Sequence, residues 1–167
     1  FNEEKEKNPE LYEGLELIYS AGADDATSGP NYKASYENAY DYVKENGITI
    51  DEYAGATDQH YYNEPSWFLK NADYYDEDNY ARDYESMTDT NYGGAIQVFL
   101  GEYAARSNRL EAALAEAAYM TGLERNGDIV KMAAYAPLFG NLTATHWAPN
   151  LIWFNNHLST GSISYYM

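Results

Sequence analysis

The stretch AIQVFLGEYA, Ala95 to Ala104, decides how this chain folds. It is rich in β-branched and aromatic residues and runs into Gly101-Glu102-Tyr103. Tyr92-Gly93-Gly94 precedes it as a turn, and Arg106-Ser107-Asn108 follows it and opens a helical pattern. An apolar run bounded in this way reads as a strand buried on both faces, as in a parallel sheet. Glu102 stands out, because a carboxylate at the end of a buried strand is unfavourable unless it is paired or used. Two readings stand side by side. In barrels of parallel strands, catalytic groups sit at the C-terminal strand ends. Alternatively, Glu102 caps the next helix or pairs with Arg106 or Arg109.

Downstream, Asn108 and Glu111 have the spacing of a capping box. Leu110, Ala113, Leu114, Ala117, Met120 and Leu123 form a helical stripe that ends at Asn126-Gly127. Ile129 to Phe139 reads as the next buried strand, and Trp147 to Phe154 as an aromatic extension. Upstream, Leu15 to Ser20 reads as a strand and Tyr32 to Asn46 as a helix closed by Asn46-Gly47. Ile48 to Tyr53 begins a strand-like segment that continues with interruptions to Tyr62. Pro65 to Leu69 starts a short helix or aromatic loop. Residues 1 to 13 are charged and read as an exposed helix end. The acidic, Tyr-rich segment Asn71 to Tyr92 reads as a solvated helix with a flanking loop. Its Asp73, Asp76 and Asp78 lack the Gly and Glu of a calcium loop.

Strand and helix signals therefore alternate, which means βα units around a parallel sheet. The expected class is α/β: about four βα units, half of a TIM-type (β/α)8 barrel, with helices on one face.

The 167 residues suffice for one domain with a sizeable core. There is no Cys, which excludes a disulfide framework and a thiolate metal site or nucleophile. A formal charge of −17 argues against nucleic acid and anionic membrane surfaces as partners. Nineteen Tyr and three Trp suit sugar binding, because aromatic faces stack on sugar rings; half-buried packing is the plainer use of any single Tyr. No Gly-x-Gly-x-x-Gly, phosphate loop or Ser elbow is present. His60, His146 and His157 lack zinc spacing, so neither metal nor cofactor is expected. No signal peptide is visible, and the chain does not begin with Met, which reads as a processed or trimmed product. Asn141-Leu142-Thr143 is a glycosylation sequon that fits a secreted protein.

DQHYYNEPSWFLKNADYYD, VFLGEYAA, the run from Leu110 to Asn141 and WAPNLIWF together resemble the α-L-arabinofuranosidases of glycoside hydrolase family 51. The resemblance runs from about Leu15 to the C-terminus and is strongest from Asp58 onward. It implies a (β/α)8 barrel of which residues 1–167 supply roughly strands five to eight, with no second domain in this chain. It also implies retaining cleavage of terminal α-L-arabinofuranosyl residues from arabinose-containing polysaccharides or oligosaccharides. Glu102 matches the nucleophile. His60 and Tyr61 match the site-lining motif; which tyrosine meets the nucleophile is open, so Tyr62 stands beside Tyr61. Trp67 and Trp147 are candidate walls of the sugar site. Gln59 stands where members of this type usually have Glu.

The family's acid/base Glu follows an Asn at the end of the fourth strand. Asn2-Glu3 lacks a preceding strand, so the acid/base is expected outside this chain. The partners implied are the glycan and the rest of the barrel or another copy of the chain. A competing reading is a non-catalytic sugar-binding or structural protein derived from such an enzyme, because half a barrel exposes two strand edges.

Overall fold

The structure is a computed structural model that describes residues 1–23, 30–76 and 96–167. Four strands form a parallel sheet in sequence order: β1 (Ile18–Ala23), β2 (Ala56–Asn63), β3 (Val98–Ala105) and β4 (Val130–Tyr135). Helix α1 (Asn2–Lys7) precedes them and is exposed throughout. Helix α2 (Pro30–Asn46) and the single turn α3 (Ile50–Tyr53) lie between β1 and β2. Helix α4 (Pro65–Lys70) follows β2, and α5 (Leu110–Arg125) joins β3 to β4.

The chain is thus α/β with a parallel sheet, and one core unites the helices with one sheet face. Tyr36, Tyr40 and Val43 of α2, Phe68 of α4, and Tyr119 and Leu123 of α5 pack with Tyr61, Val98, Leu100 and Val130. Crossovers that bring each helix back over the same face of a parallel sheet produce this shared core.

Several local readings change. Residues 50–53 are helical, not strand-like, because Thr49 and Glu52 make a reciprocal capping box: Glu52 N–H donates to Thr49 Oγ1, and Thr49 N–H to the Glu52 carboxylate at 2.7 Å. Pro65 starts α4, where its missing N–H has no intrahelical use. Asn108 is not the cap of α5; that position is Arg109, and the Asn108 amide is engaged by Asn150. The buried face of α5 is Ala112, Ala115, Glu116, Tyr119 and Leu123, while Leu110, Leu114 and Met120 are exposed. Ala112 and Ala115 let this helix lie close on its neighbours, while Tyr119 and Leu123 fill the core between them. Residues 77–92 of the acidic segment lie outside the described residues.

The last strand signal also divides. The β4 ladder stops before Pro137, which has no N–H to continue it. A second sheet follows: β5 (Phe139–Asn141) is parallel to β6 (Ile152–Phe154), which pairs antiparallel with β7 (Ser159–Gly161). The turn α6 (Ile163–Tyr166) ends the chain. This sheet is not a βα unit.

Candidate active site

Alternation along β2 sorts its residues between two faces. Thr57, Gln59, Tyr61 and Asn63 are buried, and Asp58, His60 and Tyr62 face a more open side. On β3 the register against β2 shifts: Gln59 is opposite Leu100, but His60 is opposite Glu102. Gly101 is the extra residue of this bulge, and bulges of this kind re-aim side chains next to active sites. Glu102 consequently reaches the open face with His60 and Tyr62. The strand is therefore not buried on both faces, since Phe99, Gly101 and Glu102 are only partly covered.

The Tyr62 hydroxyl donates to Glu102 Oε2 at 2.6 Å. Burial, and then the adjacent Glu102 carboxylate, push this phenol well above its ordinary range, so it keeps its proton and remains a donor. His60 Nδ1 stands 3.7 Å from the same Oε2. The other ring nitrogen, Nε2, lies 2.9 and 3.1 Å from the two Asp58 oxygens. A carboxylate can only accept, so Nε2 donates to Asp58 and the ring presents Nδ1 to Glu102. Gly101 permits this arrangement, because a Cβ there would collide with Asp58 Oδ1 and lie 3.0 Å from His60 Nε2. Trp147 meets Tyr62 edge to face, with centroids 5.5 Å apart.

The structure thus brings Glu102, His60, Tyr62 and Trp147 together. Among the described residues, the partners of the Glu102 carboxylate are Tyr62 and His60, not Arg106 or Arg109. Tyr61 and Trp67 lie elsewhere. Tyr61 is 1% exposed on the covered face, where its hydroxyl meets Tyr119 at 2.5 Å and Tyr75 at 3.1 Å. Trp67 packs on Tyr61, Phe68 and Tyr119. The pleat forces this outcome, since adjacent strand residues cannot share a face. That alternation was available in the sequence and selects Tyr62, two residues after His60. Asp58 is the site residue that sequence reasoning did not single out. Its signal was the same spacing, two residues before His60.

A second carboxyl lies buried at the end of β3. Glu116 of α5 accepts from Ala105 N–H at 2.7 Å and from Tyr135 O–H at 3.2 Å. Burial pushes its carboxyl above the usual range, and the hydrogen bonds offset this only in part. Behind the sheet, Tyr75 donates to Gln59 Oε1 at 2.9 Å, and Gln59 Nε2 donates to Tyr36. No group of three or more His, Asp or Glu side chains that could hold a metal ion occurs among the described residues.

Residues 51–167 match a family model described as "Alpha-L-arabinofuranosidase C-terminal domain". The chain is 40% identical over 154 residues to an extracellular exo-α-L-arabinofuranosidase of Streptomyces chartreusis, covering 92% of this chain and 16% of the relative. It is 34% identical over 167 residues to α-L-arabinofuranosidase 1 of Arabidopsis thaliana, covering 93% and 24%. A solved arabinose-bound α-L-arabinofuranosidase of glycoside hydrolase family 51 is similar over 97% of this chain and 22% of its own, with TM-score 0.62 and 26% identity. The chain therefore spans a quarter or less of the length of these relatives.

Proposed function

Because the chain belongs to the α-L-arabinofuranosidase C-terminal domain family, we propose that it is the part of a retaining arabinofuranosidase that carries the nucleophile, Glu102. The observation that carries this reading is the bulge at Gly101, which aims Glu102 at the open face, where Tyr62 donates to it. β1 to β4 then form part of a larger (β/α) barrel, with Glu102 and His60 in the C-terminal halves of their strands. Residues 139–161 form a sheet of their own, so the barrel reading is confined to residues 18–135. The substrate is a terminal α-L-arabinofuranosyl residue on an oligosaccharide or polysaccharide. The Streptomyces relative is named extracellular, and the sequon at Asn141 supports secretion here.

Tyr62 occupies Oε2 and leaves Oε1 of Glu102 to attack the anomeric carbon. The C–O bond to the leaving group breaks as a carboxylic acid from outside this chain protonates the departing oxygen. The covalent arabinosyl-enzyme is then hydrolysed by water, with that same group now acting as base. The two carboxyls would stand about 5 to 5.5 Å apart, as retention requires. Asp58 holds the His60 ring so that Nδ1 stays beside Glu102, and His60 meets a sugar hydroxyl or tunes the carboxylate. Trp147 offers a wall for the sugar.

A mechanism-based arabinofuranosyl inactivator tests the assignment in the full-length enzyme. Peptide mapping is expected to place the label on Glu102. Labelling of Glu64, Glu111 or Glu116 would overturn the assignment, and absence of any labelling together with intact sugar binding would favour the non-catalytic reading.

A further inference from the structure

Residues 142–151 carry the chain from β5 to β6, and Trp147 projects from this loop. Its ring meets Tyr62, yet 53% of the residue remains exposed. Holding a half-exposed indole in one place costs side-chain and backbone entropy, so something must fix the loop. Asn150 is placed to do so. It is 1% exposed, and its Nδ2 donates to the Trp147 carbonyl at 2.5 Å. The Thr145 hydroxyl donates to the same carbonyl at 2.9 Å. The backbone of Asn150 is clasped in turn by Asn108: Asn108 Nδ2 donates to the Asn150 carbonyl at 3.2 Å, and Asn150 N–H donates to Asn108 Oδ1 at 3.4 Å.

Two further observations tie this clasp to the site. Asn108 lies six residues beyond Glu102, in the segment that leaves β3. The Asn150 side chain seats on Gly140 of β5, where a Cβ would stand 2.7 Å from Asn150 Cγ and 2.8 Å from Nδ2. One buried residue therefore joins the three segments: its backbone meets Asn108 after the Glu102 strand, and its side-chain amide seats on Gly140 and holds the Trp147 loop. An apolar residue of the same volume would fill the space but hold neither the Trp147 carbonyl nor the register of the loop.

We propose that Asn150, clasped by Asn108, is a positioning residue that sets Trp147 beside Tyr62 as a stacking wall for the uncharged sugar bound at Glu102. The inference rests on the reading of Glu102 given above. The open face of the indole suits the C–H face of a sugar ring, and Trp147 is held by the same segment that follows the nucleophile. The wall is thereby tied, through Asn150 and Asn108, to the segment that follows β3.

The test uses the full-length enzyme and an arylarabinofuranoside. Asn150→Ala and Trp147→Ala are each expected to raise KM about tenfold, with a much smaller change in kcat, the pattern of lost uniform binding. The Asn150→Ala/Trp147→Ala double variant is expected to be no worse than Trp147→Ala, because both act through one contact. Additive effects in the double variant, or an unchanged KM in folded Asn150→Ala, would overturn the proposal. Should Asn150→Ala fail to fold, Asn108→Ala removes the clasp from a less buried position, and an unchanged KM there overturns it equally. Glu102→Gln separates the two readings. If Glu102→Gln keeps its turnover, the assignment of the nucleophile fails; if it is inactive while the clasp variants keep their KM, only the clasp fails.

Discussion

Tyr61 and Tyr62 are neighbours in one strand, but the pleat sends them into different chemistry. Behind the sheet, Tyr61 joins Tyr75, Tyr119, Tyr36 and Gln59 in a buried network of neutral groups. Burial drives the Tyr61, Tyr75 and Tyr119 phenols far above their ordinary range, so the network holds no charge. In front, Tyr62 is half-buried and shares its face with Asp58, His60 and Glu102. The Tyr–Gln network on the covered face pairs its polar atoms with one another. The open face leaves carboxylates partly solvated and within reach of a ligand. Side-chain type alone did not separate the two, since both faces use tyrosine.

Substitutions can break this contrast, and the largest effect belongs to the open face. Glu102→Gln keeps the shape and removes the charge, so turnover on an arylarabinofuranoside should fall at least about a thousandfold, roughly 4 kcal/mol. Its melting temperature should stay close to that of the parent. A variant that unfolds but retains its activity per folded molecule would make Glu102 a structural residue.

Tyr62→Phe is the next step. It removes the donor to Oε2 and should lower kcat about tenfold to a hundredfold, the scale of a hydrogen bond to a charged group. Tyr61→Phe, one residue away, should leave activity per folded molecule near the parent value. Kinetics and melts on both variants would show whether the two faces are as separate as their contacts make them. Equal loss of kcat in both would merge them.

Gln59→Leu attacks the covered face itself. It removes one hydrogen bond from each of the Tyr36 and Tyr75 hydroxyls and should destabilise by about 1 to 3 kcal/mol, the scale of two buried hydrogen bonds. Denaturant unfolding would measure this, and KM should not move.

Glu116 gives the smallest effect and the sharpest exception, being the one buried carboxylate among the described residues. Its carboxyl is raised by burial in the folded state, so the folded chain binds that proton more readily than the unfolded chain. The stability this confers is full below the unfolded value and is lost as pH rises through the folded value. Glu116→Gln should therefore remove a downward slope in stability across that range and melt slightly higher at neutral pH. A variant that melts lower at neutral pH would mean that the ionised form is the one its hydrogen bonds favour.

Much of this was legible in advance. The alternation of strand and helix signals marked the parallel sheet, and the apolar run before Gly101-Glu102-Tyr103 marked β3. The four-residue turn at Ile50 was missed because the Thr49–Glu52 box outweighs the strand preference of the Ile48, Thr49 and Ile50 side chains. The second sheet was missed because its strands are three residues long, too short for any periodicity to register. The contacts of Asn108 could not be read from spacing, since the partner, Asn150, lies 42 residues away. His60, Tyr62 and Trp147 were legible as candidates. The convergence of His60 and Tyr62 on Glu102 depends on the bulge, which no local pattern announces.

Gly101 also constrains the order in which this site can change. Any side chain there runs into Asp58 Oδ1 first and His60 Nε2 next. Gly101→Ala in the present background would push Asp58 off His60, and so should behave like a lesion at residue 58 without touching it. In a chain already carrying Asp58→Ala the same methyl finds more room. The two positions are thus epistatic: the cost of a methyl at residue 101 depends on the side chain carried at residue 58. A library that varies residue 101 alone therefore reads the loss of the Asp58–His60 contact together with the loss of the glycine.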